Sequence, residues 1–296
     1  MIDSCILYVL RALRAFGNAM SLGGRWRLPR SVLRRAFRLL ECEVEIKDFD
    51  GRLRVRLQLS EHMQRRIFWM GYYSTDIVAL LKKTLRHDMV VVDVGANIGE
   101  ITMVAAQSVG KEGAVIAFEP VNIIANQLAE HVRINELYQV IIRRDALGKQ
   151  PSGRVPIYAS CGQETLDENQ GLASLYGAGE GLEPIEYVNV TTLDESVASL
   201  ALTRVDMIKI DIEGGEFACL QGAESVLRRF RPMLIVEVQA FSARQAGWEV
   251  SELFQFLEGF GYEFFKIGSR GHLIEMDIDS LAEFQNVFCK VREEIE

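Results

Sequence analysis

The 296-residue chain is 49% apolar and 25% charged, a composition that excludes bulk disorder and leaves room for one large domain with additions or for two small ones. Five scattered cysteines without a C-x-x-C pair exclude a disulfide framework and a zinc ribbon and suit a reducing cytosol. The net charge of −8 is uneven: residues 1–40 carry +7, leaving −15 for the rest, an acidic body that excludes nucleic acid as the main partner.

Residues 1–40 form a basic head. Ile6, Val9, Leu10, Leu13 and Phe16 share one helical face within 4–17, and Val32, Leu33, Ala36, Phe37 and Leu40 share another within 31–40. No uncharged stretch reaches the ~20 residues that a bilayer span needs, and arginines interrupt the apolar run that a secretory signal keeps intact. Two readings stay open: basic amphipathic helices lying on an anionic membrane or gripping a partner, or helices packed on the main body with their arginines outward. The expected location is cytoplasmic, with membrane association through the head as the variant.

Residues 41–88 lead into the core. CEVEIKDFDGRLRVRLQLS (42–60) has period two around Asp50-Gly51, which predicts a β-hairpin, and 64–86 reads as helical at least from Ser74 onward, with Ser74 or Thr75 as cap. From 89 onward short apolar strands at 89–94, 114–118, 139–144, 205–210 and 232–238 alternate with helices near 99–109, 122–135, 215–230 and 248–259. That alternation predicts an α/β fold, a doubly wound, mostly parallel sheet. YEFFKI (262–267) and NVFCKV (286–291) close its edge, giving seven strands with the last antiparallel. Within 89–296, residues 151–200 insert a strand pair, RVPIYAS and YVNVTTLD, around a Gly-rich loop at 161–183.

Five acids, Asp93, Glu119, Asp145, Asp211 and Glu237, fall at or near strand carboxyl ends, the edge where open parallel sheets bind ligands. The turn after the first strand reads Gly95-Ala96-Asn97-Ile98-Gly99-Glu100, which lacks the G-x-G-x-x-G of dinucleotide binding, and Asp93 and Glu100 would repel a pyrophosphate. S-adenosylmethionine suits this rim, because it has no phosphate and offers an ammonium, a sulfonium and a ribose diol. Asp93, with Gly95, Asn97 and Gly99, is expected to shape the turn and meet the methionine end. Glu119 is expected to accept the ribose hydroxyls, and Asp145 to lie within reach of the adenine amino group.

In IKIDIEGGE (208–216), Asp211 ends a central strand beside the first, where a methyl acceptor would meet the cofactor. Asp211 and Glu213 are the expected bases for a hydroxyl proton. Glu216 and Glu237 are expected to contact the substrate. A divalent cation held by these acids is the competing device, and none is expected because no second cluster is evident. The histidines are poor rivals: His87 precedes the first strand, His131 sits inside a helix, His62 lies outside the alternating core and His272 lies far from its centre.

DVGANIG, IAFEP, ALG, VTTLD, KIDIEGGE and IVEV, in that order, resemble the FkbM-type family of S-adenosylmethionine-dependent O-methyltransferases from about Phe68 to about Ile267. The resemblance implies a class I methyltransferase fold and methyl transfer to a hydroxyl of a small molecule or glycan. It also implies a G-x-x-S-L element in the insertion, which places Asn169 and Ser174 at the acceptor. Val121-Asn122 depart from the residues that often follow FEP, and Gln239 stands where the family often has histidine. A methyltransferase-fold binding module recruited to membranes is the alternative.

Overall fold

The computed structural model describes residues 8–14, 41–159, 173–176, 183–276 and 282–292. These fall into two compact units, one ending at Ser74 and the other beginning at Thr75.

In the first unit, β1 (Glu43–Phe49) and β2 (Leu53–Gln58) form the expected antiparallel hairpin. Its turn places Asp50 and Gly51 at φ +47° and +87°, the left-handed pair that an Asp-Gly hairpin turn uses. Alternation buries Val44, Ile46, Val55 and Leu57. The helical reading of 64–86 resolves into two pieces: α1 (His62–Met70) ends at Gly71, whose φ of +92° a side chain would resist, and a new helix begins at Thr75. Of the basic head, 8–14 is described and helical; the rest of 1–40 lies outside the described residues. In that stretch Leu10 is fully buried, and Arg14 pairs with Asp48 at 2.6 Å and donates to the Phe68 carbonyl at 2.7 Å. Arg11 donates to the Glu45 carbonyl. These contacts pack the stretch within the first unit, with Arg14 turned inward where the packed reading had the arginines outward.

The second unit opens with α2 (Thr75–Thr84), grouped above with the hairpin, whose buried Ile77, Val78, Leu80 and Leu81 form one face. Its Asp76 accepts from the Arg270 N–H, tying it to the far end of this unit. Then come β3 (Val90–Val94), α3 (Glu100–Val109), β4 (Ala114–Phe118), α4 (Asn122–Ile134) and β5 (Val140–Arg143). After the insertion follow β10 (Met207–Ile210), α6 (Glu216–Gln221), α7 (Glu224–Phe230), β11 (Met233–Gln239), α8 (Ala240–Gln245), α9 (Val250–Glu258), β12 (Tyr262–Ile267), β13 (Leu273–Glu275) and β14 (Phe284–Val291). The strands assemble as β13-β12-β14-β11-β10-β3-β4-β5. The five from β5 to β11 are parallel, and β14 runs antiparallel between β11 and β12. All seven expected strands are present. The short β13 adds an eighth at the edge, its side chains exposed and without the apolar run that would announce it.

On one face Val92, Ile116, Ile208 and Leu234 pack with Leu220, Leu227 and Leu253 of α6, α7 and α9. On the other, Ala117 meets Leu128 of α4. Burial on both faces is why these strands read as continuous apolar runs.

The insertion builds a small sheet from β6 (Ala146–Leu147), β7 (Ser152–Ala159), β8 (Ala173–Ser174) and β9 (Glu186–Thr191), followed by α5 (Leu193–Ser199). Here ALG and VTTLD, far apart in sequence, lie side by side, Ala146 opposite Val190 and Leu147 opposite Thr191. Thr192 caps α5 by accepting from the Glu195 N–H at 3.1 Å. Gly148 then abuts Gly222 so closely that a Cβ on Gly222 would stand 2.1 Å from the Gly148 carbonyl oxygen. Gly222→Ala has an ordinary φ of −82°, so its cost is steric. We expect a loss of about 1–3 kcal/mol, read as a lower urea midpoint at unchanged slope.

Candidate active site

The turn between β3 and α3 is made possible by backbone that few side chains tolerate. Gly95 has φ +75°, and a Cβ there would lie 1.9 Å from the Asp211 carbonyl oxygen, so the ends of β3 and β10 approach to backbone contact. Asn97 is also left-handed, φ +49°, with its side-chain oxygen accepting from the Ile98 N–H. Gly99, φ +96°, leaves room for Leu128. His131, fully buried in α4, bonds the Ile98 carbonyl through Nδ1 at 2.8 Å and braces the turn.

Asp93 lies near the carboxyl end of β3, as expected, one residue before Val94. Its carboxylate is fully buried, with Oδ2 accepting from the Thr102 hydroxyl at 2.6 Å and Oδ1 lying 3.9 Å from Lys209 Nζ without a hydrogen bond. Burial lifts its pKa, against the pull of Lys209 and Thr102. Glu119, just past β4, accepts the Val121 N–H on Oε1 at 3.0 Å and the Asn97 N–H on Oε2 at 2.9 Å. Each oxygen keeps a second lone pair, so the group can hold this turn and still accept two hydroxyls. Burial outweighs those N–H bonds and lifts Glu119 to about 7. Asp145, beyond β5, pairs with Arg143 at 3.2 Å.

On the acceptor side, Lys209 lies in β10 opposite Asp93 in the register, one position before Ile210 and two before Asp211. Its buried ammonium stands 3.1 Å from Asp211 Oδ2 and 3.4 Å from the Gly95 carbonyl. Burial alone would lower its pKa; Asp211 and Asp93 outweigh that and raise it. The Asp211 side chain is 32% exposed. Burial resists its ionisation, yet Lys209 and a hydrogen bond from Glu237 prevail and lower its pKa.

The chain then turns through Glu213 and Gly214, both left-handed at φ +52° and +103°. Three side chains fix this turn. Ser174 donates to the Glu213 carbonyl at 2.7 Å, Trp248 Nε1 donates to the Gly214 carbonyl at 2.8 Å, and Glu216 accepts the Ile212 and Gly214 N–H groups. Glu216 was expected at the substrate; its oxygens instead face the backbone of its own turn, and its buried carboxyl is lifted to about 7. Ser174, expected at the acceptor, uses its hydroxyl both to donate to Glu213 and to accept from the Tyr176 N–H. Asn169 lies outside the described residues.

Glu237, at the end of β11, completes the cluster. Carboxyl oxygens of Asp211, Glu213 and Glu237 come within 4.8 Å of one another, close enough for one small cation or for shared protons. Asp211 and Glu237 are hydrogen-bonded to each other, which is the arrangement of a proton-sharing pair.

A model of the methyltransferase FkbM domain matches residues 93–264. The chain belongs to the FkbM methyltransferase family. Among solved structures it is similar to methyltransferase FkbM from Methylobacillus flagellatus KT, with 17% identity and a TM-score of 0.46 over 77% of this chain and 54% of that one. It therefore spans about half the length of that protein. It is also similar to an S-adenosylmethionine-dependent O-methyltransferase from Thermotoga maritima, 13% identical with a TM-score of 0.41 over 86% and 79% of the two chains. An rRNA methylase from Streptococcus thermophilus is 11% identical with a TM-score of 0.42, over 73% and 95%. No curated protein matches the chain.

Membership of the FkbM methyltransferase family implies S-adenosylmethionine as the methyl donor, and the residues present fit it. Asp93 holds a buried acceptor atom without a hydrogen-bond donor, Gly95 keeps the turn free of a Cβ, and Glu119 has two free lone pairs. Two residues that shape the site were missed in the sequence. Lys209 carried a legible signal, a charge within a four-residue strand otherwise made of apolar side chains. Trp248, preceding α9, carried none, because its partner carbonyl is 34 residues away.

Glu119 sets a pH dependence with a definite sign. In its expected role at the ribose hydroxyls, it would accept at both oxygens as a carboxylate and lose one acceptor when protonated. S-adenosylhomocysteine affinity should therefore rise with pH and level off above about 7, and calorimetry across pH 5.5–8.5 should find Glu119→Gln flat in its place. An acid whose folded pKa exceeds its ordinary 4.5 favours the fold below that value and loses this contribution as pH climbs through about 7. The variant's unfolding curves should show a smaller decline over that window, with Glu216 and the other raised acids, Asp93 and Glu237, contributing to what remains.

Proposed function

We propose that the protein methylates a hydroxyl oxygen of a small molecule or glycan, with Asp211 as the base and Glu213 lining the acceptor side. One observation carries this reading: at the end of a central strand, against the turn after β3, a half-buried carboxylate stands 3.1 Å from a buried ammonium and clusters with two further half-buried acids, Glu213 and Glu237.

When bound, S-adenosylmethionine supplies an electrophilic methyl group on a cationic sulfur that becomes neutral on transfer. The protein's own tasks are alignment, exclusion of water and removal of one proton. Asp211 takes the proton that the acceptor hydroxyl releases as its oxygen forms the new bond to carbon. Lys209 at 3.1 Å keeps that carboxylate ionised beforehand. Glu237, hydrogen-bonded to Asp211, is placed to orient both it and the acceptor. The rim formed by Asp93, Glu119 and the 95–99 turn belongs to the cofactor, and Asp145 stands beside it. In this reading Ser174 and Glu216 serve the acceptor by holding the 212–214 turn in shape, and the acids work without a metal.

Transfer of a labelled methyl group from S-adenosylmethionine into a hydroxyl-rich glycan and metabolite extract tests the reaction. The expected product survives base that would cleave a methyl ester; a base-labile product would mean that a carboxyl group is the acceptor. Asp211→Asn should lower the rate by about 10²–10⁴-fold while S-adenosylhomocysteine still binds. Chelation with EDTA should leave the wild-type rate unchanged. A rate lost to EDTA and restored by Mg²⁺ would assign the Asp211, Glu213 and Glu237 cluster to a cation instead.

A further inference from the structure

We propose that Lys209 is a positioning residue of the transfer site: its ammonium settles the proton shared by Asp211 and Glu237 on Glu237 and so holds Asp211 as the free carboxylate. This rests on the reading of Asp211 as the base, and it says how the site chooses that group over an equally acidic neighbour.

Two hydrogen-bonded carboxyl groups need one proton between them, and their pairing alone does not decide which keeps it. The surroundings break the tie. Lys209 Nζ lies 3.1 Å from Asp211 Oδ2, an ion-pair contact with hydrogen-bonding geometry, in a setting where both the lysine and its strand are buried. The rest of the ammonium faces Asp93 Oδ1 at 3.9 Å and the Gly95 carbonyl at 3.4 Å. It is thus held from β3, from the cofactor turn and from its own strand at once. Glu237 on β11 has the opposite environment. Its carboxyl oxygens lie within 4.8 Å of those of Asp211 and Glu213, and the negative charge of these neighbours favours its neutral form. Burial acts in the same direction. The ammonium is fixed by strand register, since Lys209 pairs with Asp93 on one side and with Ile235 on the other. A buried lysine paired to two acids does not lose its proton near neutral pH, so this bias persists throughout the working range.

The test is a ¹³C NMR titration of side-chain carboxyl groups in the full-length protein, which needs no methyl acceptor. Asp211→Asn and Glu237→Gln serve to assign the two resonances. We expect Asp211 ionised and Glu237 protonated at pH 7. In Lys209→Met the Asp211 midpoint should move up by about one to three pH units, and the acid limb of kcat/KM should move with it. Lys209→Arg should restore the wild-type order, which loss of packing alone would not predict.

A wild-type titration with Glu237 ionised and Asp211 protonated at pH 7 overturns the proposal, and so does an unmoved Asp211 midpoint in folded Lys209→Met. Should Lys209→Met fail to fold, the wild-type titration decides alone. If the proton order is found as stated but Asp211→Asn transfers methyl groups at the wild-type rate, the reading of Asp211 as base fails and the charge order stands.

Discussion

A single ammonium joins the two halves of this site. Lys209 reaches the cofactor turn through Asp93 and the Gly95 carbonyl, and the acceptor side through Asp211. Burying carboxylates in a sheet is costly unless each finds a counter-charge or hydrogen bonds. Here one cation answers for two of them, Thr102 supports Asp93, and backbone N–H groups support Glu119 and Glu216. The consequence is graded. Acids served mainly by N–H groups stay lifted by burial, to about 7 for Glu119 and Glu216, whereas Asp211, nearest the ammonium, is lowered. A rim that reads as five similar carboxylates is sorted by the position of one lysine and the orientation of a few peptide groups.

Two turns carry the rest of the geometry, and both depend on left-handed backbone. Gly95, Asn97 and Gly99 shape one; Glu213 and Gly214 shape the other. Gly95 is packed against the carbonyl of Asp211, so neither turn can shift without moving the other. Non-glycine residues such as Asn97 and Glu213 persist in this region only when their surroundings over-determine them. For Glu213 that restraint is the set of hydrogen bonds that Ser174 and Trp248 donate, and Glu216 accepts, around the turn. For Asn97 it is the Glu119 carboxylate on its N–H and its own side chain on Ile98.

The sheet was legible because its parallel strands are buried on both faces, and their β-branched runs are long enough to show against the helices between them. The acids at the strand ends were legible because topology alone puts strand carboxyl ends on one edge. What each acid touches was not. Glu216 occupies the same motif as Asp211 and Glu213, and its type and spacing suited a substrate contact; the fold bends its carboxylate back onto Ile212 and Gly214. Asp93 sits one residue before the end of its strand, as the 89–94 run implied, but nothing in the sequence told that its carboxylate is buried against Thr102 and Lys209. Trp248 and Ser174 serve the site through backbone carbonyls, and a carbonyl acceptor leaves no mark on the sequence.

The insertion braces the turn that follows β10. Its small sheet departs from the parallel rhythm after β5 and returns before β10, and two contacts tie it back to that strand's extension. Gly148 lies on Gly222 at the end of α6, and Ser174 holds the Glu213 carbonyl at the start of the same loop-and-helix segment. The segment from Asp211 to Gly222 is therefore clasped at both ends by the insertion, while Lys209 and Gly95 fix the strand that leads into it. The cofactor turn uses residues from β3, α3, β4 and α4, all within 93–131, and the acceptor turn adds residues from the insertion, β10, β11 and the loop before α9. Changes of sequence in the insertion can then reshape the 211–222 segment through Ser174 and Gly148, while the turn after β3 keeps its own bracing.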